Sequence, residues 1–253
     1  QKVSEKNELA LANNTDAIAA AAFMPSDYSV TPPLIKKLAG FESVETYSLI
    51  GSDDTLQYSP NYVFGGSADG AGLIKLPAGG FDGIAEAKYA FIVNHEDNFA
   101  VSRILLSARM KPLKGEYILN SNGGTWRLCS ATMTSQQEHG FGPTYLTCGE
   151  SGEESRTHAI NPLESPYSPS FSKEVPAFGR WSAENAVPLP LKAYGKTIIL
   201  IGDDDSGAEG GQVAMYMSDV TGDLNNGSVY ILRRKDLDTR ERNMTTDNQY
   251  DVE

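Results

Sequence analysis

The sequence has few basic residues for the number of its acidic ones. Lys and Arg together number 21 against 33 Asp and Glu, which gives a formal net charge of −12. Nucleic acids and anionic membrane surfaces are bound by basic faces, so this deficit argues against both as partners. The surplus of negative charge instead favours cations as partners.

Long apolar runs and cysteine-rich motifs are also missing from the 253 residues. The longest run of small apolar residues, 17–24, is far shorter than a membrane span. Two cysteines exclude a disulfide-rich scaffold and a four-cysteine zinc site. The three histidines, His95, His139 and His158, have no zinc-type spacing. No Gly-x-Ser-x-Gly elbow, phosphate loop or dinucleotide fingerprint is present.

Short strand-like runs dominate the remainder of the chain. Six apolar or β-branched runs are separated by clusters of Gly, Asn, Asp and Ser: residues 89–93, 116–119, 144–147, 197–201, 213–217 and 228–232. Long helical periodicity is absent between them, so the pattern predicts an all-β fold. A sandwich, a barrel or a propeller would fit, and no repeat with a period of 40 to 50 residues selects a propeller.

Composition divides the chain into three parts. Residues 1–45 are predicted to form a helical or extended arm, helical over 5–23, because alanine-rich sequence precedes the prolines at 25, 32 and 33. Residues 46–235 form the predicted β domain, and residues 236–253 read as a polar tail or linker. Within the β domain, the Pro- and Ser-rich stretch 149–176 predicts a functional or interaction loop.

Acidic clusters follow three of the predicted strands, at residues 94–97, at Glu150 and at residues 203–205. Calcium takes six to eight oxygen ligands, so convergence of these clusters would build a hard-cation site. For any one cluster taken alone, ordinary turn chemistry is the favoured explanation. Cys129 and Cys148 are open to two interpretations, a disulfide in an exported protein or a thiolate metal ligand.

Six segments, in order along the chain, resemble motifs of the PhoX-type alkaline phosphatases. They are residues 93–96 (Val-Asn-His-Glu), 124–129 (ending in Cys), 142–150 (containing Thr-Tyr-Leu-Thr-Cys), 179–186 (Gly-Arg-Trp-Ser-Ala-Glu-Asn-Ala), 202–205 (Gly-Asp-Asp-Asp, followed by a Tyr-bearing strand) and 224–230 (Leu-Asn-Asn-Gly-Ser-Val-Tyr). The resemblance implies a β-propeller with iron and calcium near its axis. It also implies hydrolysis of phosphate monoesters in the periplasm or outside the cell.

Residue roles follow from the same resemblance. Cys129 is implied to bind iron, and therefore not to form a disulfide with Cys148. Glu150 and Glu184 are implied to be metal ligands with catalytic roles. Further metal ligands are expected from the remaining acidic motifs, at Glu96, Asp203 and Asp204. We expect these side chains to approach one another at one end of the sheets.

The sequence departs from the family pattern at several positions, and these departures favour considering a second function. Ala183 replaces a motif His, Gly149 replaces an acidic residue, and the later Arg-Pro-Glu-Trp motif has no counterpart. The expectation is therefore the N-terminal portion of such a hydrolase, a partial propeller with little phosphatase activity of its own. The alternative is a non-catalytic, calcium-binding extracellular assembly protein. A further polypeptide that completes the fold, or an oligomeric assembly, is then the expected partner.

Overall fold

The computed structural model describes residues 24–120, 127–152, 155–168, 172–204, 211–233 and 235. The helix predicted over 5–23 and the polar tail 236–253 lie outside these residues. Within the described part of the chain, no helix combines the length and the apolar character needed to cross a membrane.

Twelve strands in the described residues form three antiparallel sheets, each built from four consecutive strands. The first sheet contains β1 (Ala68–Lys75), β2 (Ala87–His95), β3 (Ala100–Ser107) and β4 (Pro112–Leu119). The second contains β5 (Leu128–Met133), β6 (Tyr145–Gly149), β7 (Thr157–Ile160) and β8 (Ser172–Glu174). The third contains β9 (Ala183–Pro188), β10 (Ile198–Asp203), β11 (Val213–Ser218) and β12 (Gly227–Ile231). The all-β prediction is confirmed.

Helices are short in the described residues. Two α-helices of four residues each, α1 (Gln136–His139) and α2 (Leu191–Tyr194), connect strands within the second and third sheets. Two 3₁₀ turns cover Glu96–Asn98 and Pro176–Phe178. Ser135 caps α1 by accepting a hydrogen bond from the Glu138 N–H, which satisfies one free donor of the first turn.

The six predicted runs all coincide with strands, but the predicted loop over 149–176 is wrong. The structure places β7 and β8 inside it, with lengths of four and three residues. Strands this short carry too few residues to show a period of two, and prolines on either side of β8 suggested a loop.

The chain divides into two compact units, and the strands of the first sheet contribute to both. Unit 1 comprises the chain up to Phe64 together with Lys75–Tyr89 and Leu105–Gly115. The Tyr58 N–H donates a hydrogen bond to the Leu113 carbonyl over 3.0 Å in this unit. Its buried apolar side chains include Leu56, Tyr62, Leu76, Ile84 and Leu113.

Unit 2 comprises Gly65–Ile74, Ala90–Ile104 and the chain from Glu116 onward, and it contains the whole second and third sheets. Apolar side chains of these two sheets form one buried cluster. The ring centroids of Phe178 and Tyr216 lie 4.8 Å apart within it. Alternate residues of the third sheet supply its wall, namely Ile199, Ile201, Ala214 and Tyr216.

Candidate metal centre

The second residue of the first strand in every sheet carries a potential metal ligand. These residues are Asp69 in β1, Cys129 in β5 and Glu184 in β9. A carboxylate oxygen or a thiolate sulfur is a ligand atom for metals in each case. The three sheets therefore present one donor each at an equivalent position.

A second donor follows the second strand of every sheet. Glu96, Glu150 and Asp204 are the residues immediately after β2, β6 and β10. They recur at intervals of 54 residues along the sequence. The fold therefore contains a repeat that lies just outside the 40-to-50-residue range considered from the sequence alone.

One backbone hydrogen bond joins the two donor positions within each sheet. Each acidic residue donates its N–H to the carbonyl of the residue that precedes the first strand. The bonds run from Glu96 to Ser67 over 3.0 Å, from Glu150 to Arg127 over 3.3 Å and from Asp204 to Ser182 over 2.7 Å. Because the accepting residue lies two positions before the first-strand donor, both donors of a sheet emerge at the same end.

These donors meet around Cys129. The ligand atoms of Asp69, Glu96 and Cys129 lie within 4.8 Å of one another. Those of Cys129, Glu150 and Glu184 also lie within 4.8 Å of one another. Cys129 belongs to both groups, so we call the five side chains together the donor cluster, with a first half (Asp69 and Glu96) and a second half (Glu150 and Glu184).

Cys129 is buried, and its sulfur lies 3.2 Å from the Arg127 carbonyl oxygen. Desolvation, a hydrogen bond to Glu150 and the charges of the surrounding carboxylates raise the pKa of the Cys129 thiol. The thiol is therefore protonated in the metal-free protein, and a metal that binds it must displace the proton.

Cys148 has a different environment. It is fully buried in the apolar cluster, where desolvation raises the pKa of its thiol to about 12. Its sulfur lies 3.3 Å from the Thr157 hydroxyl oxygen. Both cysteines are free thiols, which confirms the prediction that they do not form a disulfide.

The second half of the donor cluster is fixed by short contacts. Ser130, the residue after Cys129, donates its hydroxyl to a Glu184 carboxylate oxygen over 2.5 Å. Desolvation raises the pKa of Glu150, and a hydrogen bond to Asp204 raises it further. The negative charges of Asp204 and Glu184 also oppose ionisation of Glu150, and a bound cation would relieve this repulsion.

Arg127 supplies positive charge beside the donor cluster. Its guanidinium lies 3.3 Å from a Glu96 oxygen and 3.7 Å from a Glu150 oxygen. The side chain is about half exposed, at 55%, so solvent weakens both ion pairs. Arg127 has a φ of 33°, in the left-handed region that an arginine rarely occupies.

Close approach of β1 to β5 builds the frame below the donors. A Cβ at Gly70 would lie 2.3 Å from the Ala131 nitrogen and 2.5 Å from the Cys129 carbonyl oxygen, so only glycine fits there. The buried Asn94 amide donates to that same carbonyl and to the Thr147 hydroxyl. These contacts connect the ends of β1, β2, β5 and β6.

Four of the six predicted metal ligands belong to the donor cluster, namely Glu96, Cys129, Glu150 and Glu184. Asp204 lies close enough to Glu150 to raise the pKa of that carboxyl. Asp203 instead ends β10 and pairs with Ala183 of β9. Within the described residues its side chain is not among the grouped donors. Its role as a ligand stays a prediction, and the repeat gives Asp204 the position equivalent to Glu96 and Glu150.

Two residues of this site were missed from the sequence. Asp69 lies in a Ser-Ala-Asp-Gly stretch that reads as a turn, and glycines lower the strand signal of β1. Arg127 lies within the segment 124–129, but nothing in the sequence distinguishes it as part of a site. The 54-residue interval between the acidic residues was a signal available for the site as a whole.

Comparison with known proteins adds no relative. No family model, no curated protein and no solved structure matches the chain.

Proposed function

We propose that this chain is the metal-binding, N-terminal portion of a PhoX-type phosphate monoester hydrolase that acts outside the cytoplasm. Its three four-stranded sheets are then three blades of a β-propeller, since consecutive antiparallel four-stranded units are how propellers are built. The observation that carries the proposal is the repeated donor pair, which brings Cys129 and four carboxylates together from three successive sheets.

The donor chemistry fits two kinds of metal. A thiolate suits a transition metal such as iron, and Cys129 with Glu150 and Glu184 offers a mixed sulfur and oxygen set. Calcium takes oxygen ligands alone, and the carboxylates Asp69 and Glu96 provide these. Both metals in the proposal thus have donors of the appropriate type.

Bound metal would polarise phosphoryl oxygens and stabilise the attacking and leaving oxygens of phosphate transfer. The chain's own residues prepare the site for this. Burial and the neighbouring Asp204 raise the pKa of Glu150, Ser130 orients Glu184, and the Cys129 thiol keeps its proton until a metal binds. Glu150 and Glu184 are the proposed catalytic carboxylates because they line the fixed half of the donor cluster.

A non-catalytic calcium-binding assembly protein is the second candidate. The Arg127 guanidinium favours it, because this cation pairs with Glu96 and Glu150, two of the carboxylates that a catalytic metal would need. On this alternative the carboxylates bind calcium to stabilise the fold, and a further polypeptide or oligomer is the partner.

Iron binding tests the proposed site directly. We expect the purified 253-residue chain to bind iron and to show the visible absorption of a thiolate–iron bond. Cys129→Ala should abolish that absorption, whereas Cys148→Ala should retain it because Cys148 lies in the apolar cluster. Absorption that survives in Cys129→Ala, or absence of iron binding by the wild type, contradicts the metal site.

Turnover of a chromogenic phosphate monoester separates the two candidates. The isolated chain should stay near background, while chelation should lower its melting temperature because a ligand that binds only the folded state stabilises it. Calcium-dependent melting without any iron absorption favours the assembly protein. Strong turnover by the chain alone would show that it is a full enzyme.

A further inference from the structure

The outer edge strands of the three sheets differ in how they are protected. In the first sheet, β4 contains Pro112, Lys114 and Glu116, and in the second sheet β8 is only three residues long and contains Lys173 and Glu174. Prolines, charges and short length are the devices that keep an edge strand from pairing with another chain. The outer strand of the third sheet, β12, has the sequence Gly-Ser-Val-Tyr-Ile and none of them.

All five residues of β12 are exposed, and β11 is the one strand that pairs with it among the described residues. Val229, Tyr230 and Ile231 are 37% to 45% exposed and have high β propensity. The strand is therefore regular and uncharged, and no strand in the described part of the chain pairs with its outer side.

The register with β11 shows which backbone groups face outward. Leu232 donates its N–H to the Val213 carbonyl, and Asn226 accepts from the Asp219 N–H, each over 3.0 Å. Antiparallel strands alternate between hydrogen-bonded and non-bonded residues. Ser228 and Tyr230 therefore bond to β11, while the N–H and carbonyl groups of Gly227, Val229 and Ile231 point outward.

We infer that β12 is a self-association edge, which pairs antiparallel with β12 of a second copy about a two-fold axis at Val229. In that register Val229 faces its own counterpart, and Gly227 faces Ile231 on both sides of the axis. All three outward-facing residues of each copy then take part in hydrogen-bonded pairs. The strand is complementary to itself in its backbone pattern.

The charges that flank β12 favour the same arrangement. Asp219 and Asp223 precede the strand, whereas Arg233 and Lys235 follow it. An antiparallel partner brings the end of β12 that precedes Arg233 and Lys235 toward the end of the other copy that follows Asp219 and Asp223. On a chain with a net charge of −12, an uncharged strand with these ends is a surface where two copies meet without like-charge repulsion.

Sedimentation of the whole chain over a range of concentrations tests the interface. Val229→Pro removes an outward N–H from each copy, and so two hydrogen bonds across the axis, while the bonds to β11 remain. The dissociation constant of the dimer should rise about tenfold or more. Val229→Thr keeps the N–H and the branched shape, so it should change the constant by less than about twofold. Equal melting temperatures establish that the variants are folded.

A charge exchange tests the register independently of proline. Because residue 229 faces itself across the axis, Val229→Lys and Val229→Glu should each weaken the dimer, and an equimolar mixture should associate more tightly than either alone. A wild type that stays monomeric at the highest attainable concentration overturns the inference. A mixture that associates no better than the single variants overturns the two-fold register.

Discussion

The two halves of the donor cluster share Cys129 but are held differently. In the second half, Glu184 accepts a 2.5 Å hydrogen bond from Ser130, and the Glu150 carboxylate lies within 4.8 Å of the Cys129 sulfur. In the first half, Asp69 is exposed, and Glu96 pairs with the half-exposed guanidinium of Arg127. One half is ordered by the fold itself, and the other depends on a solvent-exposed ion pair.

Because of this difference in order, the two halves are suited to bind different metals. Donors that are already ordered lose less conformational freedom when an ion binds, which favours affinity. Calcium accepts flexible geometry and water ligands, so it suits the open first half. A transition metal that needs the thiolate suits the second half, where Cys129 is buried beside ordered carboxylates.

The largest effect should come from forcing apart β1 and β5, the strands that carry Asp69 and Cys129. Gly70→Ala places a Cβ 2.3 Å from the Ala131 nitrogen and so forces β1 away from β5. We expect the free energy of unfolding to fall by about 2–3 kcal/mol, as for overpacked cores. Chemical denaturation measures the change, and metal binding should weaken with it.

Gly79→Ala is the matched control for this substitution. No atom lies within 4 Å of a Cβ at that position, so the unfolding free energy should change little. If Gly70→Ala retains both full stability and metal binding, the close approach of β1 and β5 does not build the donor cluster.

A smaller effect should separate the halves from each other. Saturating metal should raise the melting temperature of the wild type by about 5–10 °C at a hundredfold excess over the dissociation constant. Glu184→Gln should remove most of this rise in iron, because it takes an ordered ligand from beside Cys129. Asp69→Asn should keep more than half of it, since Asp69 is exposed and a water can replace it. Equal losses in the two variants would show that the halves do not differ.

Sequence patterns predicted strands that contain runs of apolar or β-branched residues, and missed β1, which is positioned by tertiary contact. Consecutive Ile and Leu residues within 198–203 predict β10, whereas β1 is rich in Gly and Ala. Those small residues allow β1 to approach β5, as Gly70 shows. The small side chains that let β1 lie close to β5 therefore also lower its β propensity, so the sequence does not predict a strand there.

The residues of the candidate site likewise fall into those that the sequence predicted and those that it missed. Glu96, Glu150 and Glu184 stand in motifs and were predicted, and Cys129 with them. Asp69 looks like any turn residue until the fold brings β1 beside β5. Its membership depends on a contact across 60 residues of sequence, which no local pattern reports.

The pH dependence of the metal-free protein should reveal repulsion in the second half. Folding raises the pKa of Glu150, so this carboxyl ionises at a lower pH in the unfolded chain than in the folded protein. Stability is therefore lost as pH increases from the usual Glu range through the raised value. In chelator at pH 7, Glu150→Gln should melt about 1–2 °C higher than the wild type. The gap should close near pH 4, where the wild-type carboxyl is protonated.

Asp53→Asn controls for the loss of one negative charge, because Asp53 is exposed in unit 1 and outside the donor cluster. It should leave the melting temperature in chelator close to that of the wild type. A Glu150→Gln variant that melts lower than the wild type at pH 7 would show that Glu150 stabilises the metal-free fold.

The smallest effect should come from Arg127, the cation beside the donor cluster. Arg127 lies 3.3 Å from Glu96 and 3.7 Å from Glu150, so a bound calcium ion must compete with its guanidinium. Arg127→Gln removes the charge but keeps a Cβ, so the cost of the left-handed backbone is unchanged. Calcium affinity should rise about twofold to fivefold, since exposed ion pairs contribute little. Titration calorimetry should show the gain shrinking at high salt, where such charges are screened. Arg127→Lys keeps the charge and should bind calcium like the wild type. A lower calcium affinity in Arg127→Gln would mean that the guanidinium orders Glu96 and Glu150 for the ion instead of competing with it.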